Sequence, residues 1–494
     1  MEKHNKMSHR IGLVIKYALN IAALIVVIAL FIKSLIDVDR SYDSWWYHLP
    51  FAARIWGIVP ATSYAFQDFL EARYDGFPLL AQFLQGLFWV VFQRVQAANL
   101  VSFLSLIVYL YFLKFYFHVR FYLSAIALLA VPLILIHATS CYVDLPANVC
   151  LSISILMTYL LYTQQDFLNK RNLFVIFLAA SGTANIKMQL IPVVFLILCF
   201  VGFKLIKEII ARRMASKSLL TIVPTIFLAA ILIFATPIKN IVFYGNPFYP
   251  LRIEVMGIVL NHKEALPQDA PDYLKNASRQ ERWVYSILEI NSAPWSIDQG
   301  SKNPSQHRMG GFFGAYVVFN LLLFSYICYR VRCRETLVGV ILFIIMSLVA
   351  SIIPQSHELR YYMFWMIALV SLNLYLVSHL ERSRENLQWL DTKNLGIICV
   401  LFLTLVIFQI RKPSAVKPIF YTLEKHLERH VDFKLVNQIA PGDKVCIVSI
   451  TPNDFLYASK FHPQLNYSYS VKATDSESEC GARKAIKPTY RPWL

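Results

Sequence analysis

Apolar runs of about twenty residues recur along this chain, starting with Ile11 to Ile36 and ending with Leu395 to Ile410. Inside a bilayer every backbone N–H and C=O must be satisfied within the segment, so each run is read as a helix. Composition agrees, with 57% hydrophobic residues and a mean hydropathy of +0.50 over 494 residues. The first run is too long for a signal-peptide core and no small-residue cleavage site follows it, so it reads as an uncleaved first span. The net charge of +17, from 47 basic and 30 acidic residues, fits basic cytoplasmic loops. No basic stretch with interleaved aromatics suggests a nucleic-acid partner.

Lys3, Lys6, Arg10 and Lys16 place the N-terminus in the cytoplasm. The stretch Leu79 to Val95 then decides the topology. It is apolar, carries Gln82, Gln85 and Gln93, and is short for a span, so it is read as lying flat on the outer leaflet. With that choice about eleven spans alternate, and the basic clusters near Lys114, Lys170, Lys204, Arg330 and Arg382 share the inner side. Arg411, Lys412 and Lys417 are the exception. The expected fold is an all-α polytopic membrane domain over 1–411, with external loops at 37–96 and 237–310. A small extracytoplasmic α/β domain is expected over 412–494, because Lys444 to Ile450 is a β-branched run after a Pro441-Gly442 turn. Cys446 and Cys480 are the cysteines of that tail and can pair outside the membrane, though spacing does not fix the pairing. The other six lie in or beside apolar runs and read as small hydrophobes.

This topology collects the polar oddities on the outer face. Asp37, Asp39, Asp43 and His48 follow the first span. Asp144 opens a later one, and Lys187 sits in a short helix pair. Asn246 belongs to the Gly245-Asn246-Pro247 turn, and His357, Glu358 and Arg360 precede a late span. Asp37 and Asp39 also read as terminators of the first helix. Asp43 with His48 about one turn away supplies a potential base and a proton partner. Lys187 and Arg360 can hold a phosphate, the Lys as a point charge and the Arg as a planar fork, with His357 beside them. The rings of Tyr42, Tyr47 and Tyr361 can stack on a sugar, with Asn246 and Glu358 as polar contacts. The set suits displacement of a lipid phosphate from an anomeric carbon. No P-loop, GxGxxG element or Cys/His metal spacing is present, so no cofactor is assigned.

In their order the motifs resemble the GT-C superfamily of integral-membrane glycosyltransferases. The nearest flavour is the bacterial branch similar to protein O-mannosyltransferases and aminoarabinose transferases. The resemblance covers Ile11 to Ile410 and rests on Tyr42-Asp43 with Tyr47-His48-Leu49-Pro50, Phe77-Pro78-Leu79-Leu80, Tyr142-Val143-Asp144-Leu145-Pro146, Lys187, Gly245 to Pro250, and Arg360-Tyr361. It implies an inverting transfer from a polyprenyl-phosphate sugar to a glycan, lipid or protein acceptor, outside a bacterial inner membrane. It implies Asp43 as the base, Asp144 as a second acid, and Lys187 and Arg360 on the donor phosphate. Asp43 is followed by Ser44 and not by a second acid as in several branches, so no divalent metal is assigned. A lipid-linked glycan transporter or polymerase, or a non-catalytic envelope protein, is the alternative reading.

Overall fold

A computed structural model of the chain describes residues 2–165, 167–211, 216–265, 274–289, 311–383, 391–409, 416–449 and 451–488. It is a helical membrane protein with a small strand region. Among the described residues six helices are long and apolar enough to cross a bilayer, and two bent helix pairs raise the number to eight. The expected count was about eleven. The difference lies in helices that are short or broken.

The first helix, α1 (Glu2–Ile36), leads into a π-helical turn at Ser44–His48 and then α2 (Leu49–Ile55), where Pro50 occupies a position that needs no N–H donor. α3 (Asp68–Gly76) and α4 (Leu80–Phe92) meet at 99°. Thirteen residues of helix reach only about 20 Å, short of a hydrocarbon core of about 30 Å. α4 packs against α2. Gly86 permits this, because a Cβ there would sit 2.2 Å from the Trp56 ring, and Trp56 Nε1 donates to Phe83 O at 2.8 Å.

α5 (Leu100–Tyr116) is followed by α6 (Phe121–Leu129) and α7 (Pro132–His137), two pieces of one apolar run. Pro132 cannot donate into the helix ladder. The interruption is accommodated by the chain around it: Leu133 N donates to Gly311 O at 3.2 Å. α8 (Asp144–Thr163) is almost wholly buried at the bundle centre. α9 (Lys170–Ile186) and α10 (Ile191–Ile210) are joined by a tight turn at Met188–Leu190. They are longer than the pair expected around Lys187. α11 (Ser216–Ile233) bends by 57° into α12 (Ala235–Tyr244).

The long loop that follows carries a hairpin of Glu254–Val255 with Ile258–Val259, and α13 (Arg279–Ile287). α14 (Gly314–Arg330), α15 (Arg334–Ile352), α16 (Met363–Ser383) and α17 (Thr392–Gln409) complete the bundle, with α16 buried against α8.

The tail holds α18 (Leu423–His430), α19 (Phe433–Val436) and three strands. Its parallel sheet, however, has four. A two-residue strand at Tyr64–Ala65, from the first external loop, pairs with Ser470–Thr474, which pairs with Lys444–Val448, which pairs with Lys484–Ile486. Trp45, Phe51, Tyr64 and Phe66 share one apolar core with Phe455, Tyr457 and Phe461. Asp37 clamps the junction, accepting from Ile419 N and Tyr421 N at 3.0 Å each. Cys446 and Cys480 form a disulfide, with Cα atoms 5.5 Å apart.

Inside this unit Asp454 is buried in a turn capped by Thr451. Burial raises its carboxyl from 3.8 to about 7, against hydrogen bonds from Thr451 and Ser449 that pull it down. The folded chain therefore keeps a proton that the unfolded chain releases. Its stabilising share is complete below the unfolded value and is lost as the pH climbs to about 7. Asp454→Asn is expected to slow amide exchange in the Lys444–Val448 strand of the full chain roughly tenfold or more at pH 8, and much less at pH 5. Equal effects at both pH values would contradict this reading.

Candidate active site

The loop after α1 is shaped by Asp39. Its Oδ2 accepts from Ser41 Oγ at 2.7 Å, Ser44 Oγ at 2.5 Å and the Cys141 amide at 2.7 Å, while Oδ1 accepts from Ser41 N at 2.9 Å. One carboxylate thus fixes both the turn that carries Asp43 and the loop that leads to Asp144. Other buried amides hold the second loop. Gln85 Nε2 donates to Cys141 O at 2.6 Å, and Ser102 Oγ donates to Ser140 O at 2.8 Å.

Two ion pairs meet in the space so defined. Arg360 Nη1 donates to Asp43 Oδ2 at 2.8 Å, and Arg360 Nη2 reaches Tyr361 Oη at 3.2 Å. Lys187 Nζ pairs with Asp144 Oδ1, and both side chains are buried. Lys187 sits where α9 ends and the backbone turns extended, which frees its side chain from the helix surface. Its ammonium also lies 3.8 Å from the centre of the Tyr361 ring, a close cation–π contact. Asp144 occupies the first turn of α8, where the helix dipole favours a negative charge. Asn148 ties the two pairs together: its Nδ2 donates to Asp144 O at 2.8 Å and Arg360 O at 3.1 Å, and its Oδ1 accepts from Phe364 N at 2.9 Å.

Asp144, Lys187 and Arg360 border a cavity of about 50 Å³, and Asp43 stands behind Arg360. Tyr47, His48, Asp144, Lys187, Arg360 and Tyr361 line it, with Phe77 and Pro78 as an apolar wall and Gln82 between them. That space holds about one or two waters and is well below a usual ligand pocket of about 300 Å³. Its centre is filled by side chains paired to one another. A larger cavity of about 510 Å³ lies at the opposite ends of α5 and α8, beside Tyr116 and Gln164, where His118 is the one ionisable group besides tyrosine that lines it among the described residues.

His48 is buried, and burial lowers its pKa to about 4, with Asp43 and Asp144 opposing the shift. Burial likewise pushes the Tyr47 phenol well above its ordinary value. Both are therefore neutral at pH 7.

The structure thus gathers Asp43, Tyr47, His48, Asp144, Lys187, Arg360 and Tyr361. Glu358 stands at the edge, its Oε2 3.9 Å from Arg360 Nε. Three other expected residues lie elsewhere. Asn246 is spent inside its own turn, donating to Leu251 O and Asn261 O at 2.8 Å each and accepting from Phe248 N. His357 is buried beside Glu358 and does not line the cavity. Tyr42 packs edge-on against Trp46. Sequence reading missed Gln82, Tyr142 and Asn148. Gln82 gave a signal, as an amide in an apolar stretch, but it was spent on topology. Among the described residues no three His, Cys, Asp or Glu side chains gather as metal ligands.

The architecture is GT-C-like, that of a polytopic integral membrane protein. It is similar to two crystal structures of ArnT from Cupriavidus metallidurans. The apo structure matches with a TM-score of 0.52 and 12% identity, over 94% of this chain and 87% of that one. The structure bound to undecaprenyl phosphate matches with a TM-score of 0.51 and 12% identity, over 95% and 89%. No protein-family profile matches the sequence, and no curated protein is recognisably similar to it.

The buried Lys187–Asp144 pair gives a direct test. Removing one partner of a buried ion pair strands the other charge, at about 3–5 kcal/mol, whereas removing both costs far less. Lys187→Met and Asp144→Leu are each expected to lower the thermal midpoint more than the double variant does. Additive losses would show that the two charges do not depend on one another.

Proposed function

We propose that this protein transfers a sugar from a polyprenyl-phosphate donor to an acceptor on the extracytoplasmic face, with inversion at the anomeric carbon. The observation that carries the reading is the pair of ion pairs. Asp144, Lys187 and Arg360 line one small cavity, Asp43 joins them through Arg360, and each acid already holds a cation. The ArnT likeness supports it, because one of those structures holds undecaprenyl phosphate.

The chemistry follows from an exchange of partners. An incoming phosphate competes with the carboxylates for Arg360 and Lys187, a charge-assisted contact that the guanidinium makes in a fork. Asp43, released from Arg360, takes the proton from the acceptor hydroxyl or amine. The acceptor atom then bonds to the anomeric carbon on the face opposite the phosphate. The bond from that carbon to the phosphate oxygen breaks, its electron pair stays on the oxygen, and polyprenyl phosphate leaves as an anion held by Arg360 and Lys187. Asp144 keeps Lys187 oriented until the phosphate arrives. The acceptor is a glycan, lipid or protein, and the reading invokes no cofactor.

Asp43→Asn is expected to lower transfer at least about 100-fold while leaving the protein folded. Arg360→Ala is expected to weaken undecaprenyl phosphate binding about tenfold or more. Full transfer by a folded Asp43→Asn variant would overturn the reading.

Sidedness can be tested separately. Our reading puts the N-terminus on the cytoplasmic side of a bacterial inner membrane and the site on its outer side. Gln93, Gln165 and Lys460 are exposed and suit labelling. Cysteines at 93 and 460 should react with an impermeant maleimide in intact cells, and a cysteine at 165 only after permeabilisation. Protection of 93 in intact cells would mean that α4 crosses the bilayer.

A further inference from the structure

Gln82 Nε2 lies 3.0 Å from His48 Nδ1, between two buried side chains that both line the cavity. An amide nitrogen can only donate, so Nδ1 accepts and the proton of the neutral ring sits on Nε2. The ring is hemmed in by Tyr47, with centroids 4.2 Å apart, and by the edge of Tyr142 at 5.8 Å. His48 Nε2 and Gln82 Oε1 are both buried and have no protein partner among the described residues. The two residues, which line the same cavity, therefore hold one unused donor and one unused acceptor. A buried polar atom left unmet is costly, and two in one cavity point to a ligand that meets both.

We propose that His48 and Gln82 form a subsite for neutral hydroxyl groups of the transferred sugar, with Gln82 fixing His48 as the Nε2–H tautomer. The proposal rests on the sugar-transfer reading above. A phosphate brings only acceptors. It would satisfy His48 and set its own lone pairs against Gln82 Oε1. A sugar hydroxyl both accepts and donates, and neighbouring hydroxyls on a ring can serve the two atoms together. The neutrality of the ring at pH 7, from burial, fits a partner without charge. His48 is then not a base at Nε2, since that nitrogen holds the proton. It is a binding residue, and Gln82 binds the sugar and positions the imidazole. Sites that hydrogen-bond a substrate hydroxyl reject analogues lacking it far more strongly than apolar pockets sort by size.

The test uses the full chain in detergent, labelled with [13C,15N]histidine, and two probes: undecaprenyl phosphate and undecaprenyl-phosphate-linked glucose. Ring shifts assigned by loss in a His48→Gln variant should report the Nε2–H tautomer. His48→Asn and Gln82→Leu should each weaken the glucose-bearing lipid tenfold or more and move the bare lipid phosphate less than twofold. His48→Gln, whose amide nitrogen can stand in for Nε2, should stay within about threefold of wild type for both. In Gln82→Glu the neutral ring turns its proton to Nδ1, so affinity for the glucose-bearing lipid should fall at high pH and recover as the ring is protonated. An Nδ1–H tautomer in the wild type overturns the proposal. So does an equal loss for the two lipids, which would make the pair a phosphate contact, or no loss for either. If the wild type binds neither lipid, the transfer reading falls and takes the sugar subsite with it, and the ring shifts still decide whether Gln82 sets the tautomer.

Discussion

Everything at this site hangs on a carboxylate that does not touch the cavity. Asp39 gathers the hydroxyls of Ser41 and Ser44 and the amide of Cys141 around its two oxygens. A charged acceptor with several donors makes hydrogen bonds of roughly twice the strength of neutral ones. It ties the turn before α2 directly to the loop before α8. Asp43 and Asp144, about a hundred residues apart in the chain, are brought to one place through it. Asp37 works outward in the same way, binding the tail through two backbone amides. The acidic residues that close the first helix are thus the hinge of both halves of the molecule.

That role was not legible beforehand. A carboxylate at the end of a helix next to Ser residues looks like a local cap, and Asp39 is one. Its third partner, Cys141, is supplied by the fold. Asn148 was hidden for a similar reason: an amide inside an apolar helix reads as core packing, and its double contact depends on the turn before α16. Asp43, Asp144, Lys187 and Arg360 were legible because charge at the edge of an apolar run is expensive wherever it falls. Asn246 and His357 carried the same signal for a different cause. A Gly-Asn-Pro turn satisfies its own backbone, and His357 is buried a short way from the cavity. Fewer helices than expected run unbroken for a full span, because a proline or a sharp bend divides some apolar runs and hydropathy is blind to direction.

The closed geometry also has a physical logic. Two cations in an enclosed space without counter-charges would repel each other and resist burial. Pairing each with an acid lets the empty site exist without water around every charge. In the proposed transfer, the same pairing keeps Asp43 masked by Arg360 until a phosphate claims the guanidinium. Resting stability and readiness for an anion come from one arrangement.

The strand at Tyr64–Ala65 has a consequence for how the protein is made. Its one strand partner among the described residues is Ser470–Thr474, emerging some 400 residues later. At synthesis rates of about 5–20 residues per second, the first external loop waits roughly 20–80 seconds for the chain that completes its sheet and covers Trp45, Phe51 and Phe66. The membrane bundle is threaded long before the loop bearing Asp43 acquires its final support. A chain truncated before residue 470 would carry every charged residue of the site and still lack the strand against which its first loop is set.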